Sequence, residues 1–155
     1  MSDKPTGRKL ITQNRKARHD YLIEETLEAG LALVGTEVKS CRDGKANLSD
    51  AYAIVRDGEA WLLQAHIAPY SHGNRSNHDP MRPRKLLLHR GEIARLEAKV
   101  AQEGRTLVPL RLYFDHGLAK AEIAVARGKK IHDKRRSMAK AEDERRMRRE
   151  LGRRR

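Results

Sequence analysis

Seven histidines are the first residues in this chain whose chemistry invites a site. His66, His72 and His78 fall close together, while His19, His89, His116 and His132 are scattered. A structural zinc site needs a tight pair of ligands plus a third and a fourth. No His-x-x-x-His pair at helical spacing exists, and the single cysteine, Cys41, can form neither a Cys-based zinc site nor an internal disulfide. The carboxylates Asp20, Glu24, Glu25, Glu28, Glu37 and Asp50 could supply an acid–base pair, yet acids on strand edges are usually counter-charges facing solvent. There is no Gly-x-Ser-x-Gly elbow and no Gly-rich phosphate loop ending in Lys-Ser/Thr. Arg127-Gly128-Lys129-Lys130 has the glycine and lysine of such a loop but lacks the loop and the hydroxyl. No catalytic residues, metal or cofactor are therefore expected, and the chain is not read as an enzyme.

Charge points elsewhere. The 155 residues include 34 Lys and Arg against 21 Asp and Glu, a net of +13. Charged residues make up 35%, against about 25% in an average soluble domain. That excess implies a polyanionic partner. No apolar run approaches the roughly 18–20 residues of a membrane span, and no apolar stretch follows the basic start, so neither a membrane nor a signal peptide is expected. The expected location is cytoplasmic.

The charge is concentrated at one end. Residues 127–155 hold 14 of the basic and 5 of the acidic residues, a net of +9. This segment has no aromatic residue, and its large apolar side chains are Ile131, Met138, Met147 and Leu151. It cannot bury enough apolar surface to offset a backbone ordering cost of about 1–2 kcal/mol per residue. The chain thus divides into a flexible start (1–13), a folded body (14–126) and a basic tail (127–155) disordered when free. Residues 137–151 nonetheless contain no Gly or Pro and are rich in Ala, Glu, Lys and Arg. Glu142–Arg146 and Glu144–Arg148 have the acid four residues ahead of the base, which supports a helix. Two readings of the tail stay open: a solvated basic extension, or a helix that folds against RNA phosphates.

The body must supply a scaffold. Tyr21–Ala29 reads as a first strand, and residues 31–42 as a short helix stopped by Gly44. Ala51–Val55 and Ala60–Ile67 form a hairpin around Asp57-Gly58. Residues 68–84 read as a long loop, Lys85–His89 as a buried strand, and Glu92–Gln102 as an amphipathic helix with Ile93, Leu96 and Val100 on one face. Leu107–Phe114, with Pro109 marking an edge or a bulge, and Ala119–Ala126 close the body. About six strands in hairpin-like pairs plus two inserted helices predict a mainly β, closed antiparallel barrel of the OB-fold type. Nothing in the sequence implies an oligomer.

Six aromatics, Tyr21, Tyr52, Trp61, Tyr70, Tyr113 and Phe114, must serve both core and surface. Core packing is the simpler expectation for Tyr52, Trp61 and Tyr113. That leaves little for stacking single-stranded bases, so the expected partner is structured RNA read by shape and phosphate. A generic structured-RNA binder and a metal-dependent nuclease are the rival readings.

Six ordered stretches carry a resemblance. They are Asn14–Tyr21 (Asn-Arg-Lys-Ala-Arg-His-Asp-Tyr), Glu28-Ala29-Gly30, Gly35–Ser40 (Gly-Thr-Glu-Val-Lys-Ser), Gly44–Asp50 (Gly-Lys-Ala-Asn-Leu-Ser-Asp), Arg84–Arg90 (Arg-Lys-Leu-Leu-Leu-His-Arg) and Gly128–Arg135 (Gly-Lys-Lys-Ile-His-Asp-Lys-Arg). From about Asn14 to Arg136 the chain resembles the SmpB family of SsrA-RNA-binding proteins. The resemblance implies an OB-fold adaptor that binds the tRNA-like domain of transfer-messenger RNA (SsrA RNA). It also implies delivery to stalled 70S ribosomes for trans-translation. There the tail would enter the empty mRNA channel as a helix and meet small-subunit RNA, one protein per RNA. Motif by motif, it implies RNA contacts at Glu28, Gly30, Glu37, Leu87 and His89. Further candidates are Asn14, Arg15, Lys16, Tyr21, Lys39, Lys45, Asn47 and Lys120. Some relatives carry Asn where this chain has His89, and either side chain can donate a hydrogen bond. In the tail, the resemblance implies ribosome engagement by Gly128, Lys129, Lys130, His132, Asp133, Lys134 and Arg135.

Overall fold

The computed structural model describes residues 7–72, 77–102, 104–129, 145–147 and 149. The chain runs β1 (Arg8–Gln13), α1 (Arg15–Asp20), β2 (Tyr21–Leu31), α2 (Gly35–Arg42), β3 (Ala46–Asn47), β4 (Tyr52–Arg56), β5 (Glu59–Leu63), β6 (His66–Ile67), β7 (Arg84–Leu87), α3 (Arg90–Val100), β8 (Arg105–Asp115) and β9 (Leu118–Gly128). Strands β8, β4, β5, β7, β2 and β9 pair in that order, and β9 pairs back onto β8. Six antiparallel strands thus close a ring, which is the expected OB-like barrel. β1 adds outside the ring along β8, and β3 pairs with β6 as a separate two-stranded ribbon.

The turn chemistry explains the hairpins. Asp57 and Gly58 both have positive φ (53° and 76°), as do His116 and Gly117 (50° and 82°). Two successive positive φ values define the type I′ turn whose twist matches the flanking strands. Pro109 sits at a bulge, where the β8–β9 register slips between Pro109 and Arg111. The expected return strand 60–67 is interrupted: Gln64, at φ 59°, ends the β5 direction, and His66–Ile67 leave the barrel to pair with β3.

Two further elements differ from expectation. The supposedly flexible start holds β1, an edge strand along β8 in which only Ile11 is buried. Next comes α1, with Asn14 at its N-cap accepting from the Ala17 N–H at 3.1 Å. The body therefore holds three helices, α1, α2 and α3, where two were expected.

The main core is built from aliphatic side chains of the ring, including Leu62, Leu86, Leu107, Leu112, Ile123 and Ala121, with Leu96 of α3 and Cys41 of α2 packed in. Each large side chain buried there contributes about 1.5–3 kcal/mol. A second, smaller core lies where Ala17 of α1 covers Val108, Leu110, Ala124 and Ala126, flanked by Tyr21 and Ile23. It explains why the alternation of β9 ends: Ala124 and Ala126 are as buried as Ile123 and Val125. The described tail residues 145–147 and 149 are helical.

Candidate nucleic-acid interface

The register of β2 creates a surface opening. Gly30 lies opposite Leu87 of β7 on one side and Lys120 of β9 on the other. Beyond Leu87 the chain turns into α3, whose first turn is tied by the His89 N–H donating to Glu92 Oε1 at 2.9 Å. The result is a cleft of about 650 Å³. Five of the sequence-predicted residues line it: Glu28, Gly30, Leu87, His89 and Lys120. Gly30 leaves room for the β7 strand, because a Cβ there would come within 3.1 Å of the Leu87 Cβ and crowd it. Leu87 is 53% exposed and stands as an apolar wall. The cleft also contains Glu59, Lys85, Arg90, Glu92 and Ile93. Lys85 pairs with Glu59 at 2.8 Å.

Acidic and basic groups are thus interleaved. Such a lining can do more than attract phosphate: ammonium and guanidinium groups donate to phosphate oxygens. A carboxylate accepts from a base N–H or a ribose 2′-OH, the hydroxyl that distinguishes RNA. Glu28 is the best placed acceptor. Its Oε2 receives the Tyr113 hydroxyl and lies 3.7 Å from Arg8 Nη2, while Oε1 lies 3.8 Å from Lys120 Nζ.

Tyr113 was expected in the core. It is buried, but it belongs to neither apolar cluster, and its ring has the Arg8 and Arg111 guanidiniums at 5.3 and 5.1 Å from its centroid. Burial first, then the Glu28 carboxylate, push its phenol well above the ordinary range. Period-two alternation could have found it, since Leu112 and Phe114 point into the core. Tyr52, at 40% exposed, and Trp61 also lie outside both cores.

The other predicted residues go elsewhere. Glu37 is not a surface contact, because it is fully buried. Its Oε1 accepts from the Val34 N–H at 2.9 Å and from Arg82 Nη2 at 2.6 Å. Its Oε2 accepts from Arg84 Nε at 2.7 Å. Burial alone would raise its pKa; the bonds from Arg82, Val34 and Arg84, with the Arg84 charge, hold it below the ordinary value. Arg84 is equally buried and also donates to the Ala65 and Pro80 carbonyls at 2.6 and 3.1 Å. This node pins the 68–84 connection to α2. His78 adds a second pin, between Thr36 Oγ1 (2.8 Å) and the Ile67 carbonyl (2.9 Å).

Asn14 is likewise turned inward. Besides capping α1, its Nδ2 donates to the carbonyls of Leu48 and Pro109 at 3.0 and 2.9 Å. It therefore positions Arg15 and Lys16, which are exposed. Tyr21 packs on the smaller core. Lys39, Lys45 and Asn47 are exposed along α2 and β3, outside the cleft. The Lys39 ammonium sits 5.4 Å from the Tyr70 ring centroid. Gly128 ends β9 opposite Tyr21, and the Lys129 N–H donates to the Asp20 carbonyl at 3.3 Å. Lys130, His132, Asp133, Lys134 and Arg135 lie outside the described residues. Among the described residues no group of three or more His, Cys, Asp or Glu is arranged to hold a metal. No described helix is long and apolar enough to cross a membrane.

A closed six-stranded barrel with a basic surplus and a mixed polar cleft defines an OB-type nucleic-acid-binding protein. A family model described as SmpB protein matches residues 11–153. The SsrA-binding protein of Thermobifida fusca is 60% identical over 153 residues, covering 99% of this chain and 96% of that one. That of Syntrophomonas wolfei is 57% identical over 151 residues, covering 97% and 96%. That of Nostoc sp. is 56% identical over 152 residues, covering 97% and 98%. A solved chain under the heading "tmRNA-SmpB: a journey to the center of the bacterial ribosome" is 55% identical, with TM-score 0.66 over 77% of this chain and 85% of that one. This chain belongs to the SmpB family.

Proposed function

We propose that this protein is an RNA-binding adaptor that takes the tRNA-like domain of transfer-messenger RNA to stalled ribosomes for trans-translation. Its work is binding and delivery rather than turnover, and it acts in the cytoplasm with the ribosome as its second partner. The cleft on β2, β7 and β9 carries this reading. Glu28, Gly30, Leu87, His89 and Lys120 lie far apart in sequence and converge on one opening. That opening offers an acceptor, donors and an apolar wall to a folded RNA. Arg15 and Lys16 on α1, and Lys39 and Lys45 near α2, add exposed positive charge for phosphates. The tail, with Gly128 and Lys129 at its root and residues 130–155 beyond, is the segment assigned to the mRNA channel.

The test is a titration of the full chain with the tRNA-like RNA, with elongator tRNA as competitor. Binding that survives excess tRNA supports the adaptor reading. Equal binding to both RNAs would reduce the surface to shape-blind basic attraction. Truncation after Arg127 should leave this RNA binding largely intact while abolishing tagging on stalled ribosomes. Loss of both together would overturn the division between body and tail.

A further inference from the structure

Glu28 is an exposed carboxylate on a protein of net charge +13, at the cleft assigned to RNA. A free glutamate of this kind samples several rotamers, and fixing one upon binding costs side-chain entropy. Here the side chain is already held. Tyr113 lies on β8 and Glu28 on β2, with β9 between them. Gly30, Lys120 and Tyr113 form one cross-strand row, and Glu28, Glu122 and Arg111 form the next. The phenol therefore reaches across β9 to bond Glu28 Oε2.

Tyr113 is itself fixed. It is 4% exposed, flanked by the Arg8 and Arg111 guanidiniums. Arg8 is anchored in turn by Asp115 at 3.6 Å. A buried tyrosine hydroxyl needs a partner, and an ionised carboxylate is a strong one. The bond engages only Oε2. Oε1 has Lys120 Nζ at 3.8 Å, which is a charge neighbour rather than a hydrogen bond.

We infer that Tyr113 is a positioning residue for RNA recognition: its hydroxyl clamps Glu28 Oε2 so that Oε1 is presented, pre-aimed, to an N–H or 2′-OH donor of the RNA in the cleft. This rests on the cleft being the RNA site. Preorganisation of this kind adds affinity by removing an ordering cost rather than by adding a contact.

The experiment is a double-mutant cycle on the full chain, titrated with the tRNA-like RNA: wild type, Glu28→Ala, Tyr113→Phe and the double variant. Tyr113→Phe should weaken binding about tenfold, the scale of one hydrogen bond to a charged group. In the Glu28→Ala background the same change should weaken it no further, because the clamp then has nothing to hold. A loss from Tyr113→Phe that persists undiminished without Glu28 would overturn the positioning role, since a merely structural tyrosine acts in both backgrounds. Wild-type affinity in Tyr113→Phe alongside weak binding in Glu28→Ala would overturn the clamp and leave the RNA site standing. Wild-type affinity in Glu28→Ala would overturn the site itself, and the clamp with it. An ultraviolet titration checks the bond directly. Glu28→Gln should bring the Tyr113 phenol into ionisation at lower pH, and an unmoved titration curve would count against the clamp.

Discussion

Two glutamates nine residues apart, both matched by motif to RNA contacts, do opposite work. Glu37 is sealed: no part of it is exposed, and both its oxygens are consumed by Arg82, Arg84 and the Val34 N–H. Glu28 is open: its side chain is 40% exposed, and one oxygen has no hydrogen bond within the described residues. The difference follows from the elements that carry them. Glu37 sits in the first turn of α2, facing the barrel and the 68–84 connection. Glu28 sits on the outer face of β2, beside the gap that Gly30 leaves. A carboxylate whose charge is neutralised inside the fold holds structure. One with an unused oxygen in a cleft is available to a ligand.

The sharpest way to break this contrast is to truncate each carboxylate and measure both stability and RNA affinity. Glu37→Ala leaves Arg84 buried and unpaired, which typically costs about 3–5 kcal/mol. Thermal unfolding should therefore fall steeply, and Cys41, whose thiol is pushed up to about 11 chiefly by burial, should become reactive to a thiol reagent in the native state. Glu28→Ala takes the Tyr113 hydroxyl's carboxylate away, so it should lower stability by about 1–3 kcal/mol, less than Glu37→Ala, while its main effect is lower RNA affinity. Similar melts for the two variants would dissolve the distinction.

The pH dependence belongs to the sealed node as well. The folded-state pKa of Glu37 lies below its ordinary value near 4.5. The folded state therefore releases this proton more readily than the unfolded chain. Its contribution to stability is present above about pH 4.5 and is lost as pH falls through the lowered folded value. Acid unfolding of the wild type should steepen in that window, and Glu37→Gln should flatten that part of the curve. An unchanged acid limb would show that the node contributes no proton linkage.

The sequence exposes what local rules determine. The β4–β5 hairpin was legible because Asp57-Gly58 demands a type I′ turn. α3 was legible because Ile93, Leu96 and Val100 repeat at helical spacing, and Leu96 is the residue that reaches the core. β1 was hidden because an edge strand burying only Ile11 has no apolar pattern to show. α1 was hidden because six residues burying one alanine give no periodicity; its sole signal was Asn14 as an N-cap. The partners of Glu37 could not be read, since Arg82 and Arg84 are 45 and 47 residues away. The five cleft residues came from motif resemblance, and only the ring closure through β9 shows why they converge.

A smaller perturbation probes the cleft wall. In Gly30→Ala the new methyl meets the Leu87 Cβ at 3.1 Å, a contact that a shift of the β7 backbone by a few tenths of an ångström relieves, carrying the half-exposed Leu87 with it. The expected stability cost is therefore modest, about 1 kcal/mol, at the low end for overpacking. RNA affinity should fall roughly three- to fivefold, or about 1 kcal/mol, as the wall moves. Unchanged affinity with a displaced Leu87 would show that the RNA does not rest on this side chain.

The smallest effect expected tests whether pairing alone, rather than position, makes a β2 carboxylate important. Glu25 has two basic partners, Arg95 Nη2 at 2.5 Å and Lys99 Nζ at 3.5 Å, so by charge count it resembles Glu28. Its partners are on α3 and well exposed, Arg95 at 64%, and water screens them. Exposed pairs of this kind contribute about 0–1 kcal/mol, and Lys99 remains to take over the carboxylate. Arg95→Ala should therefore shift the melt by less than about 0.5 kcal/mol and leave binding of the tRNA-like RNA within twofold. A large loss of affinity would extend the RNA surface from the cleft onto the flank of α3. Glu28 would then owe its importance to lying in a broad charged field rather than to its clamp.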